Sequence, residues 1–93
     1  MGVGSLIKQP SESRLYTMEF APNLAAGETV TSVSSCTASP AGLTLTGAAA
    51  SGTKATVRIS GGTADTTYKV TFVVITSASN TLEGEGYLVV RQL

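Results

Sequence analysis

Histidine and tryptophan are absent from this chain of 93 residues, cysteine occurs once, and charged side chains make up 13% of it. Without histidine, the usual zinc ligand sets and the serine–histidine or cysteine–histidine catalytic pairs are closed off, so no metal, no cofactor and no enzymatic activity are expected. The lone Cys36 has no partner for an internal disulfide. Six basic residues (Lys8, Arg14, Lys54, Arg58, Lys69, Arg91) balance six acidic ones and stand singly. No basic stripe for a phosphate backbone forms, and no nucleic-acid partner is expected. No apolar run approaches the length of a membrane span or of a secretory signal core, so no membrane partner is expected and synthesis is cytoplasmic. A chain this short builds one core, which buries only about 60–65% of the surface its unfolded form exposes. With neither disulfide nor metal as a staple, contacts with other proteins are the remaining source of added stability.

What the chain does have is period-two alternation, the signature of half-buried strands. Tyr16, Met18 and Phe20 share one face of a first strand starting at Arg14. Pro22-Asn23 and Ala26-Gly27-Glu28 then mark turns, and Thr29–Thr37, rich in Thr, Ser and Val, reads as a second strand. Val30 and Cys36 have one parity and Val33 the other, so either a β-bulge shifts the register or both faces are covered. Cys36 is a small core residue on this reading. Leu43–Thr46 is a short third strand, Gly47–Gly52 a small-residue connection, and Lys54–Ser60 a fourth strand with Ala55, Val57 and Ile59 inward. Residues 1–13, without a period, form an extended N-terminal arm. Two readings of it are open: a frayed terminus, or a tether whose Leu6 and Ile7 dock on a neighbouring subunit.

The most regular stretch, Thr67–Arg91, predicts a hairpin with Tyr68, Val70, Phe72 and Val74 facing Leu82, Leu88 and Val90. Opposed residues share a face, so the loop holds an odd number of residues, three or five. An even loop would place Glu83 in the core. A five-residue loop over Ser77–Thr81 pairs Val70 with Leu88 and Tyr68 with Val90. Val73, Ile75, Tyr87 and Val89 then point outward among Lys69, Glu83, Glu85 and Arg91, an apolar set that is either a protein contact site or covered by the arm or a loop of the same chain. Gly84 and Gly86 leave space under Phe72 and Val74 or permit a bulge. Glu83 and Glu85, on one strand face, read as solvated, since a sandwich this small offers no cleft for a sugar between them.

Two resemblances add to this. Ile59-Ser60-Gly61-Gly62-Thr63-Ala64-Asp65-Thr66-Thr67-Tyr68-Lys69-Val70 resembles the corner before the last strands of immunoglobulin and fibronectin type III domains. The resemblance implies an immunoglobulin-like antiparallel β-sandwich of about seven short strands over residues 14–93. It also implies a structural corner at Tyr68, whose hydroxyl would bond back to upstream backbone. The cysteine pair and core tryptophan of antibody domains are missing. Along its whole length the chain is similar to small virion proteins of tailed bacteriophages, in Lys8-Gln9-Pro10-Ser11-Glu12-Ser13-Arg14-Leu15-Tyr16, Leu24-Ala25-Ala26-Gly27-Glu28-Thr29-Val30 and Tyr68-Lys69-Val70-Thr71-Phe72.

This second resemblance implies a structural protein of the virion, made in the cytoplasm of the host bacterium. It would be a capsid decoration or head-to-tail subunit that contacts other virion proteins and copies of itself. The alternative is a small carbohydrate- or host-surface-binding module. That alternative has Tyr87 as its one outward tyrosine.

Overall fold

A computed structural model describes residues 5–92. Seven strands make up most of it: β1 (Ser5–Lys8), β2 (Arg14–Glu19), β3 (Val30–Ser39), β4 (Leu43–Ser51), β5 (Lys54–Gly61), β6 (Thr66–Thr76) and β7 (Thr81–Val90). A 3-10 turn spans Ala21–Asn23, and there is no α-helix among the described residues. The strands form two packed sheets, ordered β1-β7-β6-β3 and β2-β5-β4. Every pairing is antiparallel except that of β1 with β7. The all-β sandwich of about seven strands is the architecture found.

The core is built as the period-two pattern dictates. Tyr16 and Met18 of β2, Phe20 just beyond its end, and Ala55, Val57 and Ile59 of β5 meet Tyr68, Val70, Phe72 and Val74 of β6 and Leu88 and Val90 of β7. The Tyr16 and Phe72 rings lie 6.4 Å apart between the sheets, tilted by 35°, within the range of favourable aromatic pairs. Gly84 and Gly86 are buried on the inner face of β7. They do leave space, but for the opposite sheet. A Cβ on Gly84 would stand 2.6 Å from Met18 Sδ and 3.0 Å from the Phe20 ring, and one on Gly86 would overlap the Tyr16 hydroxyl. The sequence places these glycines on the inner face but does not say which strand crosses over them.

In β3 the parity conflict is resolved by bulges. The register with β6 shifts between Val30 and Ser32 and again between Val33 and Ser35. Val30, Val33, Cys36 and Ala38 consequently stand opposite Thr76, Val74, Phe72 and Val70, all on the inner face.

Two sequence expectations are corrected. Gly47–Ser51 is not a connection: β4 runs on through it, bulges between Thr46 and Ala49, where Gly47 takes a positive φ of 66°, and pairs Ser51 with Lys54. Gly52, at φ 60°, holds the first place of a two-residue hairpin loop, where glycine is favoured.

The return strand of the final hairpin starts two residues earlier than expected, pairing Val70 with Gly86 and Tyr68 with Leu88. Its loop is the three-residue form, Ser77–Ser79, with Ser79 left-handed at φ 63° and the Thr76 N–H bonded to the Asn80 carbonyl. Because the slip is even, every face assignment survives it. Glu28 anchors both flanks of the loop, accepting from the Thr76 hydroxyl at 2.5 Å and from Asn80 Nδ2 at 3.0 Å. Contacts from a distant turn leave no mark in the hairpin's own pattern.

Of the segment read as an arm, Ser5–Lys8 form β1, with Ile7 beside Val89 and Lys8 beside Val90. Residues 1–4 lie outside the described residues. Four residues hold too little alternation for a period to be read.

Gly86→Ala is expected to lower the unfolding free energy by about 1–3 kcal/mol, the usual cost of overpacking. Adding Tyr16→Phe, which removes the overlapping hydroxyl, is expected to recover part of that loss. Urea denaturation of the two variants checks both.

Candidate interaction face and its supports

The outer face of the four-stranded sheet carries the odd-numbered residues of β6 and β7. Their register sets Ile75 beside Thr81, Val73 beside Glu83, Thr71 beside Glu85, Lys69 beside Tyr87 and Thr67 beside Val89. The four outward apolar residues therefore form two pairs and not one cluster. Val73 and Ile75, both half-buried, lie toward the hairpin loop. Tyr87 (41% exposed) and half-buried Val89 lie toward the other end, about 13 Å away at strand spacing. Between the pairs Lys69 Nζ and Glu85 Oε2 make an ion pair of 3.1 Å, and the Glu85 carboxylate raises the Lys69 pKa.

Ile7, 52% exposed, stands beside Val89 in the parallel ladder. Ile7, Val89 and Tyr87 thus form one continuous apolar strip across β1 and β7. Leu6 is opposite Leu88 in the backbone register, and its side chain lies outside the described residues.

The end of the sandwich next to this strip is held by Tyr68 and by Lys8, a residue the sequence reading missed. Tyr68 is buried at the start of β6, and its hydroxyl accepts the Thr63 N–H at 2.9 Å. That bond and the nearby Lys8 ammonium lower the phenol pKa. Gly42 is required beside it, since a Cβ there would lie 2.8 Å from the hydroxyl.

The Lys8 side chain is fully buried, and its ammonium donates to the carbonyls of Gln9 (2.7 Å), Pro10 (3.2 Å) and Gly61 (2.5 Å). Burial lowers its pKa, opposed by the Glu12 carboxylate and Tyr68. One side chain so fastens β1, the turn after it and the Gly61-Gly62 corner. No sequence motif announces a lysine in that role. A buried cation whose three donors are all satisfied is what such a site demands.

The opposite end is braced by carboxylates. Glu28 accepts from Thr76, the Ala25 N–H and Asn80, which hold its pKa below the ordinary glutamate value. Glu19 accepts from the Thr53 hydroxyl (2.5 Å) and the Ala21 N–H (3.0 Å), with the same effect. Three loops are thereby tied together without a metal or a disulfide. Cys36 is half-buried against the core, and burial pushes its thiol up to about 11.

The strip, the ion pair and the two braced ends describe a scaffold that presents a surface. Comparison with known families decides its kind: residues 8–89 match the family described as podophage GP4 fiber-tail adaptor protein gp77. The chain belongs to this family. It is accordingly a structural protein of a tailed-phage virion, as the whole-length resemblance implied. No curated protein matches the chain. The match begins at Lys8 and ends at Val89, so it takes in both the buried lysine and most of the apolar strip. In this gp77-family chain the hydrogen bonds of Lys8 and Tyr68 tie the corner to β1 and to the start of β6, next to the strip.

Lys8→Met is expected to destabilise the protein by about 1–3 kcal/mol, because buried carbonyls lose their donor. It should also speed amide exchange in β1 and at the 61–63 corner ahead of the core strands, as hydrogen exchange would read. The carboxylate brace sets a pH dependence. The folded-state pKa values of Glu28 and Glu19 are depressed, so their stabilisation is present above the unfolded value of about 4.3. It is lost as pH falls from there through the lower folded values. Thermal melts should accordingly fall in Tm below about pH 5, and Glu28→Gln should lower Tm at neutral pH while making the acid slope shallower.

Proposed function

We propose that the chain is a non-enzymatic adaptor between a tail fibre and the tail of a podophage. It meets one of them through the Ile7, Tyr87 and Val89 strip, with Leu6, Val73 and Ile75 as the remaining contact residues. The observation that carries the adaptor role is the family match over residues 8–89. Of the two virion positions expected from sequence, this reading takes the head-to-tail side and drops capsid decoration. It drops glycan binding as well: Tyr16 and Tyr68 are spent in the core, and Tyr87 alone is no sugar platform.

Several features support the details. Tyrosine and aliphatic side chains are what the desolvated centre of a protein interface uses, and the strip is flanked by Lys69, Glu85 and Arg91 as a polar rim. The immunoglobulin-like reading of the sandwich is supported by the strand order, by β1 running parallel to β7, and by the Tyr68–Thr63 bond at the corner. Residues 14–93 are its body, and 1–13 its leading arm, tied down through Lys8. The scattered charges favour protein partners over nucleic acid or membrane. The protein works in the virion after synthesis in the host cytoplasm.

Binding of the purified chain to tails and to fibres of its own phage tests this. We expect binding to both, with Tyr87→Asp or Ile7→Asp weakening one of the two by about tenfold or more while the far-ultraviolet circular dichroism is unchanged. Absence of binding to tails and fibres alike would overturn the adaptor reading. Full binding by both variants would overturn the assignment of the strip.

A further inference from the structure

From Thr29 to Thr53 the chain contains no acidic or basic residue; all of its charges lie on either side of that stretch. The fold puts this stretch in one place. It supplies β3 and β4, which are the free edges of their respective sheets. β4 packs over β3, so the two uncharged edges lie one above the other along one side of the sandwich. Sheet edges carry unpaired N–H and C=O groups, and proteins blunt them with charge, proline, short strands or bulges.

The opposite side is guarded in those ways. β1 has four residues and ends on the tied Lys8, and β2 has six and runs from Arg14, paired with Glu12 at 3.7 Å, to Glu19. On the uncharged side, β3 and β4 have ten and nine residues, with no proline in either. Bulges are the sole device. They interrupt β3 before Ser35 and leave Ser35–Ser39 in unbroken register with Val73–Lys69. Within that run Ser35, Thr37 and Ser39 are exposed, and in β4 so are Thr44 and Thr46.

We propose that this edge is where the protein associates with a second copy of itself, adding β3 to β3 in antiparallel fashion about a two-fold axis at Thr37. The occupant follows from the edge itself. Its two stacked layers are matched by another two-layered edge and not by a single extended peptide. In a two-fold pairing each surface meets its own copy, so any charge near the axis would face its like. This stretch carries none. Pairing about Thr37 puts Ser35 opposite Ser39 of the other copy and continues the four-stranded sheet across the axis. The outer strip on β1 and β7 lies at the far side of the same sheet and stays free for virion partners, so the two contacts are independent.

Sedimentation velocity and light scattering on the isolated chain, from micromolar to millimolar, test the proposal without any other virion protein. A reversible dimer is expected, with Thr37→Lys, and separately Ser35→Lys, raising its Kd about tenfold or more at unchanged Tm. In a Cys36→Ala background, Thr37→Cys should oxidise to a covalent dimer released by reductant. Thr17→Cys, exposed on the guarded edge, should not. A chain that stays monomeric throughout, or a dimer indifferent to both lysines and never captured by Thr37→Cys, would overturn it. Neither result bears on binding to tails or fibres.

Discussion

The packing of the Tyr16, Met18 and Phe20 side chains onto the β7 backbone at Gly84 and Gly86 is the constraint on which the rest of this structure depends. Tyr16, Met18 and Phe20 reach across the sandwich into room left by Gly84 and Gly86, and the Tyr16 hydroxyl occupies the place of a side chain on Gly86. In a small chain without a disulfide, stability comes from burying apolar surface at high density. Trading two side chains on one sheet for three large ones on the other achieves this. It also fixes how far apart the sheets lie and thus where the outer face of β7 is held.

Given that packed middle, the ends are closed by polar chemistry of opposite sign. At one end the Lys8 cation gathers three carbonyls while the Tyr68 hydroxyl takes an amide. At the other, two glutamates gather hydroxyls and amides from three loops. Each is a charged group whose hydrogen bonds are supplied locally, so the charge is stabilised where it sits. The lysine has the further effect of making a four-residue strand, too short to hold by itself, part of the sheet that carries the apolar strip.

The surface that results is uneven in a way that suits an assembly component. Apolar side chains are concentrated on β1 and β7, an ion pair separates them from a second apolar pair on β6, and the β3–β4 side is devoid of charge. A structural protein of a virion is held in place through surfaces that meet its neighbours. A sandwich provides them cheaply because its faces and edges are separate places. The core needs only alternate residues of each strand, which leaves the others to vary with the partner.

Alternation alone determined that the chain is built of β-strands, which residues of β2, β5, β6 and β7 line the core, and that Val73, Ile75, Tyr87 and Val89 point outward, because the side-chain period of a strand is two whatever it packs against. The sandwich and the glycine-rich corner before Tyr68 were implied by resemblance to immunoglobulin and fibronectin type III domains, not by the period. The register of the last hairpin was not legible, since slips of two residues leave the pattern intact, and Glu28, bonded to Thr76 and Asn80 on both flanks of the loop, reaches it from a distant turn. Likewise the sequence marked Val30, Val33 and Cys36 as conflicting in parity, and the choice of bulges came from β6, which had to receive all three on one face. Lys8 and the stacking of β3 under β4 were not legible at all. Both depend on residues distant in sequence meeting across the sandwich, and nothing in the local period of either segment carries that information.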